Sequence, residues 1–154
     1  LITGYTSNRI HRRDIMTKEE EITKNLTVIE YYKQQLESID LQLQYLQSTL
    51  AEYQRAKITV EQLHDADDKS PLLIPVGAGT FINASLTNAS NVLIGIGAGV
   101  VVEKTVDEAV GKLDERMKRI QENLEKMVQL GQKIQSDAED LSRKTQQMME
   151  EAQR

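Results

Sequence analysis

Residues 71–102 constrain the fold most, because they contain no Asp, Glu, Lys or Arg and every charged side chain lies outside them. Short apolar, β-branched runs alternate here with glycine-bearing breaks, a pattern of strands joined by tight turns. The spacing predicts four strands, near 72–76, 80–86, 92–96 and 100–104. Val92, Ile94 and Ile96 fall on one face of their strand, as do Ile82, Ala84 and Leu86 on theirs. The glycines Gly77, Gly79, Gly95, Gly97 and Gly99 permit turns, bulges or close backbone approach. Pro75 has no ladder donor, which suits an edge strand. Two pairings fit: hairpins turning at the two Gly-Ala-Gly runs with 87–91 as the joint, or one hairpin whose loop is 87–91. In both, the block has open edges, apolar surface and no charged residue to guard them, so its own flanks or other chains must cover it.

The flanks read as helices. Thr17 with Glu20 is a capping-box pattern, and a seven-residue repeat follows. One position holds Ile22, Ile29, Leu36, Leu43 and Leu50; the other holds Asn25, Tyr32, Ile39, Leu46, Tyr53 and Val60. This narrow stripe suits a coiled coil, while Leu26 and Leu63 broaden it toward the amphipathic face of a globular bundle. The repeat fades at Lys57 and His64, and the run before Pro71 ends the helix. After the block, Thr105 with Glu108 repeats the capping pattern. Val106, Leu113, Ile120, Met127, Ile134, Leu141 and Met148 then recur every seven residues, beside Val110, Met117, Leu124, Gly131, Ala138, Thr145 and Ala152. The second column turns small or polar from Gly131 onward, so the packing should weaken there.

The economical arrangement folds one helix antiparallel against the other, because an intrachain pair costs less loop entropy than a pairing between copies. The fold class expected is α+β: a long two-helix coiled coil joined through two β-hairpins that build a barrel with other subunits. Its segments are a helix over 16–70, an assembly region over 71–104 and a second helix over 105–154. Residues 1–15 do not continue the pattern, and Met16 opens an acidic run, so a non-native or disordered leader is expected there. The rival reading is a basic tail around Arg9, His11, Arg12 and Arg13.

Composition excludes several function classes. The net charge of −5 argues against nucleic-acid binding. With no Cys, disulfides and thiolate metal sites are ruled out. No apolar run reaches membrane-spanning length. Gly95-Ile96-Gly97-Ala98-Gly99 suggests a nucleotide loop, but Val100 stands where a third glycine is needed and no Lys-Ser/Thr pair follows. A turn or bulge is the better reading. His64, Asp65, Asp67 and Asp68 read as a solvated turn rather than a metal cluster, and no carboxylate pair stands in a pocket-forming run. No enzyme activity, cofactor or metal is expected. Ile22, Leu26, Val28 and Ile29 meet Leu141, Met148 and Met149 where the repeat fails. They either complete the coiled coil or offer adaptable, Met-rich apolar surface.

Leu73-Ile74-Pro75-Val76-Gly77-Ala78-Gly79 and Gly97-Ala98-Gly99-Val100, set between two heptad arms, closely resemble the alpha class of archaeal prefoldin subunits. The resemblance covers about 16–152. It implies a cytoplasmic, ATP-independent co-chaperone in which two alpha and four beta subunits join through a double β-barrel and six coiled coils extend from it. The alpha class has two hairpins, which favours the four-strand reading. The coil tips of that family hold non-native polypeptides and deliver them to a group II chaperonin. Carried onto this chain, the assembly residues are Leu73, Val76, Phe81, Ile82, Leu86, Val92, Ile94, Ile96, Val100 and Val102. The client-facing residues are Ile22, Leu26, Ile29, Leu141, Met148 and Met149. The alternative is a structural or tethering coiled coil, including a filament-forming paralogue, that never holds unfolded chains.

Overall fold

In this computed structural model the backbone is described for residues 3–152 and the side chains for 17–152. The elements run α1 (Thr3–Glu61), a 3-10 turn (Gln62–Asp65), β1 (Pro71–Gly77), β2 (Thr80–Ser85), β3 (Asn91–Gly97), β4 (Val100–Thr105) and α2 (Val106–Ala152). Helix α1 passes through Thr17, so the start expected there is a correction. With no proline before Thr17, nothing in the sequence forces a helix to begin at that residue. The expectation of a disordered leader over 1–15 falls on residues whose side chains lie outside those described. The chain divides into two compact units, Leu46–Leu124 and the pair Leu1–Tyr45 with Glu125–Arg154.

The first unit holds the hairpins. β1 pairs antiparallel with β2 (Ile74↔Ile82), and β3 with β4 (Ile94↔Val102), as two separate two-stranded sheets. The turns therefore sit at the two Gly-Ala-Gly runs. Ala78 and Ala98 both have φ 48, followed by Gly79 at φ 71 and Gly99 at φ 75. Positive φ at both central residues makes type I′ turns, whose twist matches that of the strands they join. The ladder slips between Pro75 and Gly77, and again between Gly95 and Gly97, so Val76 and Ile96 stand in bulges. One hairpin's register reproduces the other's 20 residues on: Pro71↔Ser85 becomes Asn91↔Thr105, and Gly77↔Thr80 becomes Gly97↔Val100.

Local hydrogen bonds explain where each hairpin begins and ends. Leu86 N–H donates to Ser70 O at 2.9 Å, and Lys69 N–H to Leu86 O at 2.7 Å, closing the first. Asn88 Oδ1 accepts from the N–H groups of Ser90 and Asn91 at 2.8 and 3.2 Å, turning the joint into β3. Thr105 and Glu108 form the expected reciprocal cap. Thr105 N–H donates to Glu108 Oε2 at 3.1 Å, and Glu108 N–H donates to Thr105 Oγ1 at 3.3 Å.

The unit's buried apolar residues are Ile94, Val106, Ala109 and Leu113. Ile94 keeps 8% of its exposure and Val92 is half-buried, whereas Ile96 is exposed. The bulge thus breaks the expected Val92–Ile94–Ile96 face after its second member. Arg116 Nη2 donates to Gly95 O, fastening β3 to α2. The β1–β2 hairpin has no buried residue at all. Within this unit α1 and α2 run antiparallel, tied by Lys57 Nζ to Asp114 Oδ1 at 2.7 Å and His64 Nε2 to Asp107 Oδ1 at 3.2 Å. These pairs occupy the two places, one in α1 and one in the 3-10 turn after it, where the apolar repeat lapses.

In the second unit the helices are again antiparallel. Ile39 is buried, and its Cγ2 would lie 3.5 Å from a Cβ placed on Gly131. Thr145 is buried and satisfies its hydroxyl by donating to Leu141 O at 2.7 Å. Asn25 Nδ2 lies 3.8 Å from Met148 Sδ, a weak hydrogen bond across the seam. Lys144 pairs with Glu21 at 3.1 Å and Lys18 with Glu151 at 3.5 Å.

Candidate functional site: the hairpin faces and the helix ends

Each hairpin leaves apolar side chains open to solvent. An isolated two-stranded hairpin is marginal in water, and apolar faces left open demand a cover. Leu73, Val76, Phe81 and Ile82 of the first hairpin are exposed, and so are Ile96 and Val100 of the second. Among the residues expected at an assembly surface, Leu86, Val92 and Val102 are instead half-buried and Ile94 is buried within the chain itself. Their side is turned to the chain's own packing. Leu72, Ile74, Leu93 and Val101 are also exposed and join the open set. Alternation along the strands was the signal that could have found them.

At the helix ends Leu26 is 47% exposed and Val28 is exposed beside it. Ile22, Ile29, Leu141, Met148 and Met149 are half-buried. The second unit thus brings the expected residues onto two facing helix ends, without sealing them. Cross-helix ion pairs border them, each worth at most about 1 kcal/mol in such exposed positions.

Several charges elsewhere are paired locally. Asp114 donates no proton but accepts from Lys57, holding that ammonium above its usual pKa. Lys104 and the Thr105 N–H hold Glu108 below the usual carboxylate range, and Lys112 does the same for Glu115. His64 faces Asp107, Asp67 O accepts from Ser70 N–H, and Asp68 accepts from Ala89 N–H, so the acidic turn is a structural joint. Among the described residues no cluster of three or more His, Asp or Glu could hold a metal, and no helix is long and apolar enough to cross a membrane. A groove of about 500 Å³ lined by Gln54, Lys57, Ile58, Glu61, Asp114, Met117, Lys118 and Gln121 lies open to solvent.

Antiparallel helix pairs and hairpins with uncovered apolar faces define a coiled-coil assembly subunit. Comparison with known proteins gives the particular lineage. The family described as "Prefoldin subunit" matches residues 32–151. The prefoldin subunit alpha of Archaeoglobus fulgidus is 31% identical over 124 residues, 80% of this chain and 90% of that protein. That of Methanobrevibacter smithii is 30% identical over 138 residues, 90% of this chain and 94% of the other. The chain therefore belongs to the prefoldin family of non-enzymatic chaperone subunits.

Solved structures agree on the fold. A filamentous PFD from Methanocaldococcus jannaschii superposes with a TM-score of 0.68 at 19% identity, covering 75% of this chain and 95% of that one. The prefoldin beta subunit of a Thermococcus strain superposes with a TM-score of 0.53 at 20% identity, covering 82% and 90%.

Proposed function

We propose that this chain is the alpha-type subunit of a hetero-oligomeric chaperone, joined to beta-type subunits through its hairpins in a two-alpha, four-beta assembly. Its helix ends capture unfolded or nascent polypeptides, keep them from aggregating and release them to a group II chaperonin without ATP hydrolysis. The observation that carries the reading is the half-open helix end: Leu26 exposed, and Ile22, Ile29, Leu141, Met148 and Met149 only half-buried. Methionine's flexible, polarisable side chain suits partners of many shapes. Each end offers a modest apolar contact. Several ends acting on one client raise the effective concentration and give avidity with quick local release. No bond is made or broken.

The test mixes the chain with candidate beta subunits and follows light scattering of denatured citrate synthase. Assembly should suppress the scattering, and removing residues 16–29 and 141–154 should abolish suppression while leaving the assembly mass otherwise unchanged. Transfer of the held client to a chaperonin tests the handover. A second reading, a tethering or filament-forming protein, is favoured by the superposition on a filamentous relative. Electron microscopy showing long filaments, with scattering unaffected, would select it.

A further inference from the structure

Asn25 is the one amide in the two heptad columns of α1, and the second unit sets it against a thioether. Its Nδ2 donates to Met148 Sδ at 3.8 Å across the seam. Both residues are half-buried. A thioether is a weak acceptor, so the amide is poorly matched there. Thr145, about one turn before Met148, turns its buried hydroxyl to Leu141 O of its own helix at 2.7 Å. Lys144 and Glu151 lie on either side of Met148 and pair with Glu21 at 3.1 Å and Lys18 at 3.5 Å, which keeps the amide opposite the sulfur.

One added oxygen would turn this weak pair into a good one. The oxygen of a methionine sulfoxide is strongly polarised and accepts hydrogen bonds well. Set off the line between sulfur and nitrogen, it reaches the amide at about 2.9 Å, the ordinary N–H···O distance. Methionine oxidation usually loosens apolar contacts, because it leaves a polar group among neighbours that cannot answer it. At Met148 a donor already waits. The side chain is half-buried rather than sealed, so a small peroxide reaches the sulfur and the cost of making it polar is partial. Met117, Met127 and Met149 are half-buried too, but among the described residues none has such a donor at its sulfur.

We propose that Met148 is a reversible oxidation site whose sulfoxide is held by Asn25, closing the half-open helix end. Hydrogen peroxide is the oxidant. A sulfur lone pair attacks one peroxide oxygen, and the S–O bond forms as the O–O bond breaks. The leaving hydroxide takes the proton of the transferred oxygen and departs as water. Sulfur gives up two electrons and the peroxide gains them. A thiol-dependent sulfoxide reductase returns the thioether. The closure depends on how the two helices meet, whatever that end binds.

The experiment treats the full chain, in its assembly, with hydrogen peroxide. Mass spectrometry of its peptides locates each added oxygen, and amide exchange is followed over 18–29 and 141–151. Exchange there should slow about fivefold once Met148 carries the oxygen, the effect of one ordinary hydrogen bond. Asn25→Leu fills the seam with an apolar side chain and should reverse the sign: oxidation then speeds exchange, since the oxygen has no partner. Met148→Leu should abolish the response although Met149 still takes up oxygen. A sulfoxide reductase with dithiothreitol should restore the original rates. The proposal is overturned if wild-type exchange quickens or stays the same on oxidation, or if Asn25→Leu responds as the wild type does. It is overturned equally if Met148 stays unoxidised while Met149 takes up oxygen, or if Met148→Leu still responds to peroxide.

Discussion

Gly131→Ala tests how the second unit is held closed. Gly131 is a helical position, and an added Cβ would meet Ile39 Cγ2 at 3.5 Å, an ordinary van der Waals contact. The methyl therefore fits without displacing anything. Replacing Gly by Ala in a helix interior is worth about 1 kcal/mol, partly by restricting the unfolded chain. One kcal/mol is about fivefold in an opening equilibrium. Amide exchange around residue 131 should slow by about that factor, and the urea midpoint followed by helical circular dichroism should rise. The packing argument is refuted if the variant exchanges faster or unfolds at lower urea, since Ile39 would then need the space a bare glycine leaves.

Other substitutions probe the first unit. Ile94→Asp puts a carboxylate at a buried position and should cost several kcal/mol, freeing the β3–β4 hairpin as seen by exchange; Ile96→Asp, on exposed ground, should leave the chain folded and reduce assembly mass instead. Thr105→Ala removes half of the reciprocal cap and should lower stability by about 1 kcal/mol in urea titration. Glu108 has a folded-state pKa below its ordinary 4.5. Its stabilising contribution is full above that value and disappears as pH falls through the lowered one; Glu108→Gln should abolish this acid-side step in a pH series of helicity. Ala98→Asn should stabilise the second hairpin by a few tenths of a kcal/mol, because Asn tolerates positive φ better than Ala at the first I′ position.

Much of this was legible in the sequence. The Gly-Ala-Gly runs marked the turns because each brings two glycines, free to adopt positive φ, around the bend, although sequence alone left open whether 87–91 was loop or joint. The decision came from Asn88, whose side chain caps its own joint. Heptad columns located the seam, and their lapses at Lys57 and His64 became polar contacts to Asp114 and Asp107 that no single-helix pattern could foretell. Ala109, the most buried of the described core residues, lies outside both columns. Ile94 and Ile96 read alike by alternation but differ in burial, because a bulge shifts the face by one residue. The Thr17 cap was misread because a capping box is also an ordinary i, i+3 pair within a helix.

On the proposed reading of the hairpins as joints between subunits, their twinning would give one chain a valence of two. A subunit bearing a single attachment device can only terminate whatever it joins. One bearing the same device twice, 20 residues apart, can serve as a link. Damage to either copy alone would turn that link into a stopper, so growth and closure of the assembly can be set by very few residues in one short stretch of backbone.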